Sequence, residues 1–233
     1  MLLFFLFVFF FFFYDGIARS DLSLDRTTTR LSSWRDHDTG VSALSASSGT
    51  SRNDALYLQS EHDLGAGVTA YLGARYDRFT TEGRVAQYTP PAFDLAYPGR
   101  HFSQTSPKAA LVWRADPRVA LRASWGAAFR PPSLLEMYSR TAAPTPVAGV
   151  VSINEPSPDL QPERVRAVET GADFSAPGGG TASVTLYRQR LTDLIYRRRV
   201  SPTLTRTENA GEASVDGIEA SASWPTGVPG LVA

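Results

Sequence analysis

The chain has 233 residues, 23 basic and 23 acidic side chains for a formal net charge of zero, and no cysteine. That length allows one or two domains with a normal core. Zero net charge provides no field for nucleic acid, and the lack of thiols removes a disulfide framework and any thiol-ligated metal site.

Residues 1–14 are apolar throughout and dominated by phenylalanine. As a helix they would reach only about 21 Å, short of a ~30 Å bilayer core. A signal peptide's apolar segment has about this length, and Gly16-Ile17-Ala18 resembles a cleavage site, yet no Lys or Arg precedes Arg19. Residues 1–18 therefore read equally as a signal-like leader or a misread gene start. Beyond Tyr14 no apolar run approaches the length of a membrane helix. Membrane β-strands are not excluded, because alternation halves their apparent hydropathy.

Residues 19–53 predict one weak strand, Ser20 to Ser32, and a loop from Ser33 to Asn53 that is rich in Ser, Thr, Asp and Gly. Residues 54–233 alternate more strongly. Leu56, Leu58 and Ser60 oppose Tyr57, Gln59 and Glu61; after a turn at Asp63 to Gly67, Val68, Ala70, Leu72, Ala74 and Tyr76 form the next apolar parity. Thr80 to Ser103 holds Pro90, Pro91 and Pro98 and reads as a long loop. Ser106 to Arg114 returns to strand, Ala115-Asp116-Pro117 turns, and Val119 to Gly126 alternates again. A Pro-rich connection follows, closed by Pro158 to Arg164. Strands are then expected around Val168 to Phe174 and Ala182 to Leu186, a long connection over Leu191 to Glu208, and a last strand within Asn209 to Trp224.

Short and long connections thus take turns along the chain. A soluble sandwich has no reason to sort its loops by length. A membrane barrel does so at every hairpin, with brief periplasmic turns and extended extracellular loops. Tyr76, Trp113, Trp125 and Trp224 fall near strand ends, where interfacial aromatic girdles sit. Glu61 and Asp77, flanked by Arg75 and Arg78, read as lumen ion pairs rather than a hydrolase dyad. No nucleophile elbow, phosphate loop or metal signature is present, and His37, His62 and His101 show no ligand spacing, so no enzyme activity, metal or cofactor is expected.

Four stretches carry a resemblance. Tyr57-Leu58-Gln59-Ser60-Glu61 leads to Leu72-Gly73-Ala74-Arg75-Tyr76-Asp77. Ser106 to Trp113 leads to Leu121 to Gly126 and Phe129-Arg130-Pro131-Pro132-Ser133. Pro158-Asp159-Leu160-Gln161-Pro162-Glu163 precedes Glu169-Thr170-Gly171, and Asn209-Ala210-Gly211 precedes Gly217-Ile218-Glu219. In this order they resemble the C-terminal barrel of TonB-dependent outer-membrane receptors.

The resemblance implies an all-β fold: an antiparallel transmembrane β-barrel fragment of about 8–9 strands out of ~22 in an up-and-down barrel. It implies residence in the Gram-negative outer membrane, contact with outer-membrane lipid, and energy-coupled uptake of a scarce ligand such as a siderophore-iron complex, cobalamin or a glycan. The family's plug domain, through which a TonB-type energy-transducing complex acts, has no counterpart here, so the chain is expected to be non-functional alone. Loop candidates for ligand contact are Arg130, Tyr138, Arg197, Arg198 and Arg199. The motifs around Phe129 to Ser133 and Pro158 to Glu163 are expected to fix strand-to-loop geometry, with rigid prolines and Asp159 bonding nearby amides. A passive porin-like barrel and a soluble β-sheet binding protein are the alternative readings.

Overall fold

A computed structural model describes residues 20–35, 45–88, 91–147 and 150–225. The leader expected at residues 1–18 and the turn expected after Pro225 lie outside these. Among the described residues twelve strands and one short helix follow in chain order: β1 (Ser20–Arg35), β2 (Ser45–Gly65), β3 (Val68–Gln87), β4 (Phe93–Asp116), β5 (Val119–Arg130), α1 (Leu134–Tyr138), β6 (Thr141–Pro144), β7 (Val151–Glu155), β8 (Glu163–Ser175), β9 (Thr181–Thr192), β10 (Ile195–Ser201), β11 (Leu204–Asn209) and β12 (Glu212–Ser223). Eight form one wall in the order β1-β2-β3-β4-β5-β8-β9-β12, each antiparallel to its neighbour. β1 and β12 are its two edges, so the described wall is an arc of a barrel rather than a closed one.

The connections at one end are tight. Between β2 and β3 the chain turns through positive φ at Gly65, Ala66 and Gly67. Asp63 accepts a 2.9 Å bond from the Gly65 amide, and a Cβ at Gly67 would fall 2.5 Å from the Arg114 carbonyl oxygen. Glycine is needed there for both conformation and space. Asp116 does similar work at the β4–β5 turn, accepting from the Arg118 and Val119 amides at 2.6 and 3.1 Å.

At the other end the strands run further than composition suggests, and three loop readings are corrected. The Ser33 to Asn53 segment contributes to β1 and to the first part of β2, paired residue for residue from Arg35↔Ser45 onward. Thr80 to Ser103 is mostly hairpin, with β3 and β4 paired up to Gln87↔Phe93. Pro98, which has no amide proton to donate, sits where the register shifts between Thr81↔Arg100 and Gly83↔Tyr97, so a bulge absorbs it. Leu191 to Glu208 contains the β10–β11 hairpin.

Register assigns the two faces. Leu22, Leu58, Ala74 and Pro107 share a rung, as do Trp125 with Val168 and Leu186 with Ile218. These side chains are exposed on one face; Leu24 is 79% accessible and Ile218 71%. Trp113 and Trp224 border the apolar band at its tight-turn end and Tyr76 and Trp125 at the other. On β3 the band runs from Val68 to Tyr76, about the 9–11 residues that a tilted strand needs to cross a bilayer. No described helix is long and apolar enough to span a membrane, a fact that does not bear on crossing by strands. Within the wall strands Ala55, Phe79, Val85, Ala86 and Val112 are buried. The clustered core lies beyond the apolar band, where Leu134, Met137, Tyr138 and Leu160 pack with Leu31, Tyr97 and Ile195.

Candidate functional site

The wall's second face carries the polar half of each alternation. Arg75 donates to Asp77 and Asp25 at 3.0 Å, and Asn53 donates to Asp77 at 2.9 Å. Lys108 donates to Gln59 at 2.6 Å with its ammonium 5.1 Å from the Tyr57 ring centroid. Arg122 reaches from β5 to Asp173 and Thr185. These pairs tie each strand to its neighbour or to the next strand beyond it, on a face that would otherwise present unpaired charge. Asp77 meets Arg75 as its spacing suggested. Arg78 does not join them: one residue along a strand reverses the face, and Arg78 stands on the apolar-band side opposite Asp54.

The second assembly sits at the wall's far end, where α1 folds over the polar faces of β2 and β3. Ser133 caps α1 in a reciprocal box: its hydroxyl accepts from the Glu136 amide at 3.2 Å, and Glu136 accepts from the Ser133 amide at 2.7 Å. Glu136 also takes both terminal nitrogens of Arg130 at 3.0 and 3.1 Å. Arg130 Nε donates to Glu163 at 2.6 Å, and Glu163 in turn accepts from the Ile195 amide at 2.7 Å. Helix cap, β5, β8 and β10 are thereby tied in one chain of charge-assisted bonds. Burial opposes the charge on Glu136, but the Arg130 guanidinium and the Ser133 amide outweigh it and hold the carboxyl below its ordinary range.

Tyr138 is completely buried and bonds Thr81 through its hydroxyl at 3.0 Å. Its ring lies flat on the backbone of β2 and β3: a Cβ at Gly83 would come within 2.3 Å of it and one at Gly49 within 3.0 Å. Tyr97 packs beside it, ring centroids 5.8 Å apart.

Two long excursions then interlock. β10, β11, β7 and β6 form a separate four-stranded sheet in which β11 runs parallel to β7. Arg206 of one excursion pairs with Glu155 of the other at 2.8 Å. Below that sheet Asn209 accepts from the Gln161 amide at 2.7 Å and donates to the Gln161 and Asp193 carbonyls at 2.9 and 2.7 Å. The Pro158 to Glu163 and Asn209 to Gly211 motifs, far apart in sequence, meet here. Asp159 is exposed and offers its carbonyl oxygen to Gln161 at 3.2 Å, while the amide-binding expected of it is performed by Asn209.

The five loop candidates separate accordingly. Arg130 and Tyr138 lie in the bonded base just described. Arg198 pairs with Glu208 at 2.5 Å, and Arg199 donates to the Ser201 and Pro202 carbonyls at 3.3 and 2.8 Å. Arg197 is exposed, opposite Thr207, with no ion pair among the described residues. Glu163 and Asn209 stand in the sequence only as members of their motifs, without individual roles, and Glu136 is not singled out there. Only Glu136 had a local signal, the Ser-x-x-Glu spacing of a capping box. No group of three His, Asp or Glu side chains able to hold a metal occurs among the described residues.

An apolar band on one face, ion pairs on the other, tight turns at one end and interlocked excursions at the other define the wall and mouth of a membrane β-barrel receptor. The sequence matches the family described as TonB dependent receptor-like, beta-barrel over residues 9–231, and the chain belongs to that family. Its place is the Gram-negative outer membrane, and the family consists of receptors and transporters rather than enzymes.

Solved structures with the same fold include a double mutant of the hemophore receptor HasR of Serratia marcescens in complex with its hemophore HasA and heme (18% identity, TM-score 0.66, 91% of this chain and 41% of that one). The ferric yersiniabactin uptake receptor FyuA of Yersinia pestis superposes with a TM-score of 0.68 at 16% identity, covering 94% of this chain and 31% of that one. The ferric-catecholate import receptor Fiu of E. coli K12 gives 0.63 at 13% identity, with 93% and 34% covered. The chain therefore spans between about a third and two fifths of the length of these receptors. No curated protein sequence matches it.

Proposed function

We propose that this chain forms part of the wall and extracellular mouth of a receptor for energy-coupled uptake of a scarce ligand, with a siderophore-iron complex favoured over cobalamin or a glycan. The observation that carries this reading is the mouth: two excursions locked through Glu163 and Asn209 hold up the arginine-rich β10–β11 hairpin, where Arg197 has no ion pair among the described residues. A rigidly based, cationic, solvent-facing edge suits an anionic metal chelate. Related folds include receptors for ferric yersiniabactin and ferric catecholates, which supports that class. Arg197, Arg198 and Arg199 would meet ligand, while Arg130 and Tyr138 position the loops that present them. Uptake would draw on a TonB-type energy-transducing complex acting through a plug domain, so the chain would bind ligand weakly and transport nothing by itself.

The test is titration of the full chain in neutral detergent with a ferric catecholate chelate, followed by tryptophan fluorescence. Saturable quenching that Arg197→Gln weakens about tenfold supports the reading, and absence of saturable quenching overturns it. Liposomes containing the chain alone should stay impermeable to small sugars. Swelling in sucrose would instead favour a passive porin.

A further inference from the structure

Each junction between neighbouring strands of the wall is laddered to the mouth-side end of at least one strand, except that of β4 with β5. There the pairing stops at Lys108↔Gly126, although β4 continues up to Phe93 and β5 to Arg130. Carried on, the register would set Gln104 opposite Arg130. Instead the upper part of β4 pairs with β3 alone, and Ala127 to Arg130 pair with β8 alone. Pro107, which has no amide proton, stands at the residue where the ladder ends. On the lumen face at this level Ala110, Ser124, Gly126 and Ala167 leave a shallow depression beside Lys108, so no bulky packing stiffens the wall there. Above Lys108 the wall is therefore two leaves, β1 to β4 on one side and β5, β8, β9 and β12 on the other.

Among the described residues, every hydrogen bond that crosses this seam uses a side chain. The Phe79 and Phe129 rings meet edge to face, centroids 5.4 Å apart. Gln104, with its amide oriented to satisfy both of its ends, accepts from Arg164 at 3.0 Å, and Arg100 donates to the Pro158 carbonyl and, at 3.2 Å, to that of Leu160. The largest crossing element is α1. Its root is ionic and belongs to the second leaf, through Glu136, Arg130 and Glu163. Its tip is the Tyr138 ring, seated in the first leaf over Gly49 and Gly83 and bonded to Thr81. Side-chain contacts of this kind break singly, whereas a strand ladder resists as a unit. We propose that the mouth opens along the β4–β5 seam: the β1–β4 leaf swings from its neighbour about the Lys108–Gly126 rung, and α1 is the strap that holds the seam closed while Tyr138 stays in its slot. The device lies in the wall and the strap, so it is independent of which ligand the receptor takes.

The experiment measures pulsed dipolar distances between pairs of spin-labelled cysteines introduced into the full chain in neutral detergent. Thr80 and Thr192 stand across the seam above the hinge, four strand steps or about 19 Å apart. Ala70 and Leu186 lie on one unbroken rung below it, and Thr28 and Ser103 lie within the first leaf. Tyr138→Ala should lengthen the Thr80–Thr192 distance by at least about 5 Å and leave the other two unchanged. Leu135→Ala, on the exposed side of α1, should change none of them. A Thr80–Thr192 distance unmoved by Tyr138→Ala would overturn the proposal, as would a lengthening from Leu135→Ala as large as from Tyr138→Ala. So would an equal lengthening of Thr28–Ser103, because the leaf would then be losing its shape instead of swinging. With the strap unaltered, urea should lengthen Thr80–Thr192 at concentrations that leave Ala70–Leu186 unchanged; coincident changes in the two pairs would overturn the hinge without recourse to any strap variant.

Discussion

The wall and the mouth are held together by different physics. In the wall's apolar band the large side chains point outward and stay exposed, so the stability of that part comes from backbone ladders, from ion pairs such as Arg122–Asp173 on the inner face, and from lipid on the outer one. In the mouth the same residue types are buried: Leu134, Met137, Tyr138 and Leu160 form a core like that of a water-soluble domain, framed by the Glu136–Arg130–Glu163 chain. The membrane replaces a core for one half and cannot do so for the other. The excursions must therefore carry their own apolar cluster to hold a fixed shape above the bilayer.

The sharpest way to break the comparison is to remove the mouth's core alone. Tyr138→Ala should cost about 4 kcal/mol of local stability, as an aromatic-to-alanine truncation in a packed site does. Amides of α1, β6 and β7 should then exchange with solvent while those of β3 and β4 stay protected, as read by hydrogen exchange and mass spectrometry. Equal deprotection of wall and mouth would mean that the two are one cooperative unit.

A somewhat smaller effect tests the wall. Leu58→Glu places a charge on the lipid face, where burial in hydrocarbon costs on the order of 2 kcal/mol; Gln59→Glu, one residue on, puts the same charge on the polar face beside the Lys108 ammonium. Membrane insertion, followed by protease protection in liposomes, should fail for the first and survive for the second.

The smallest expected effect is a pH dependence confined to the mouth. Glu136 has its carboxyl held below the ordinary range in the folded chain, so the stability it contributes is complete above the unfolded value of about 4.3 and is lost as pH falls through the lower folded value. Limited proteolysis of the Pro131 to Pro162 segment should accelerate below about pH 4. Glu136→Gln should remove that pH step, and an unchanged step would place its origin elsewhere.

The comparison also explains what the sequence discloses. The wall is legible because its rule is local: alternation over Val68 to Tyr76 and Val119 to Gly126 sets the face of every side chain, and the aromatics at Trp113 and Trp125 mark its margins. The reading faltered where one residue decides the face, as at Arg78, and where proline content overrode pairing, as at Pro98, whose bulge no composition rule reveals. In the mouth the decisive contacts are non-local. Glu163 with Ile195, Gln161 with Asn209 and the parallel β11–β7 pairing each join segments that only the assembled wall strands bring side by side. Motif order pointed to the family but left unstated that two of its motifs touch.

The most direct measurement of the central claim uses the absence of native cysteine, which makes any introduced thiol unique. Single cysteines at each position from Val68 to Tyr76, spin-labelled in the full chain in liposomes, report access to dissolved oxygen from lipid and to a water-soluble nickel chelate. The account predicts a strict period of two, with Val68, Ala70, Leu72, Ala74 and Tyr76 reached by oxygen and the residues between them by the chelate. A flat profile, or one with the opposite phase, would contradict it.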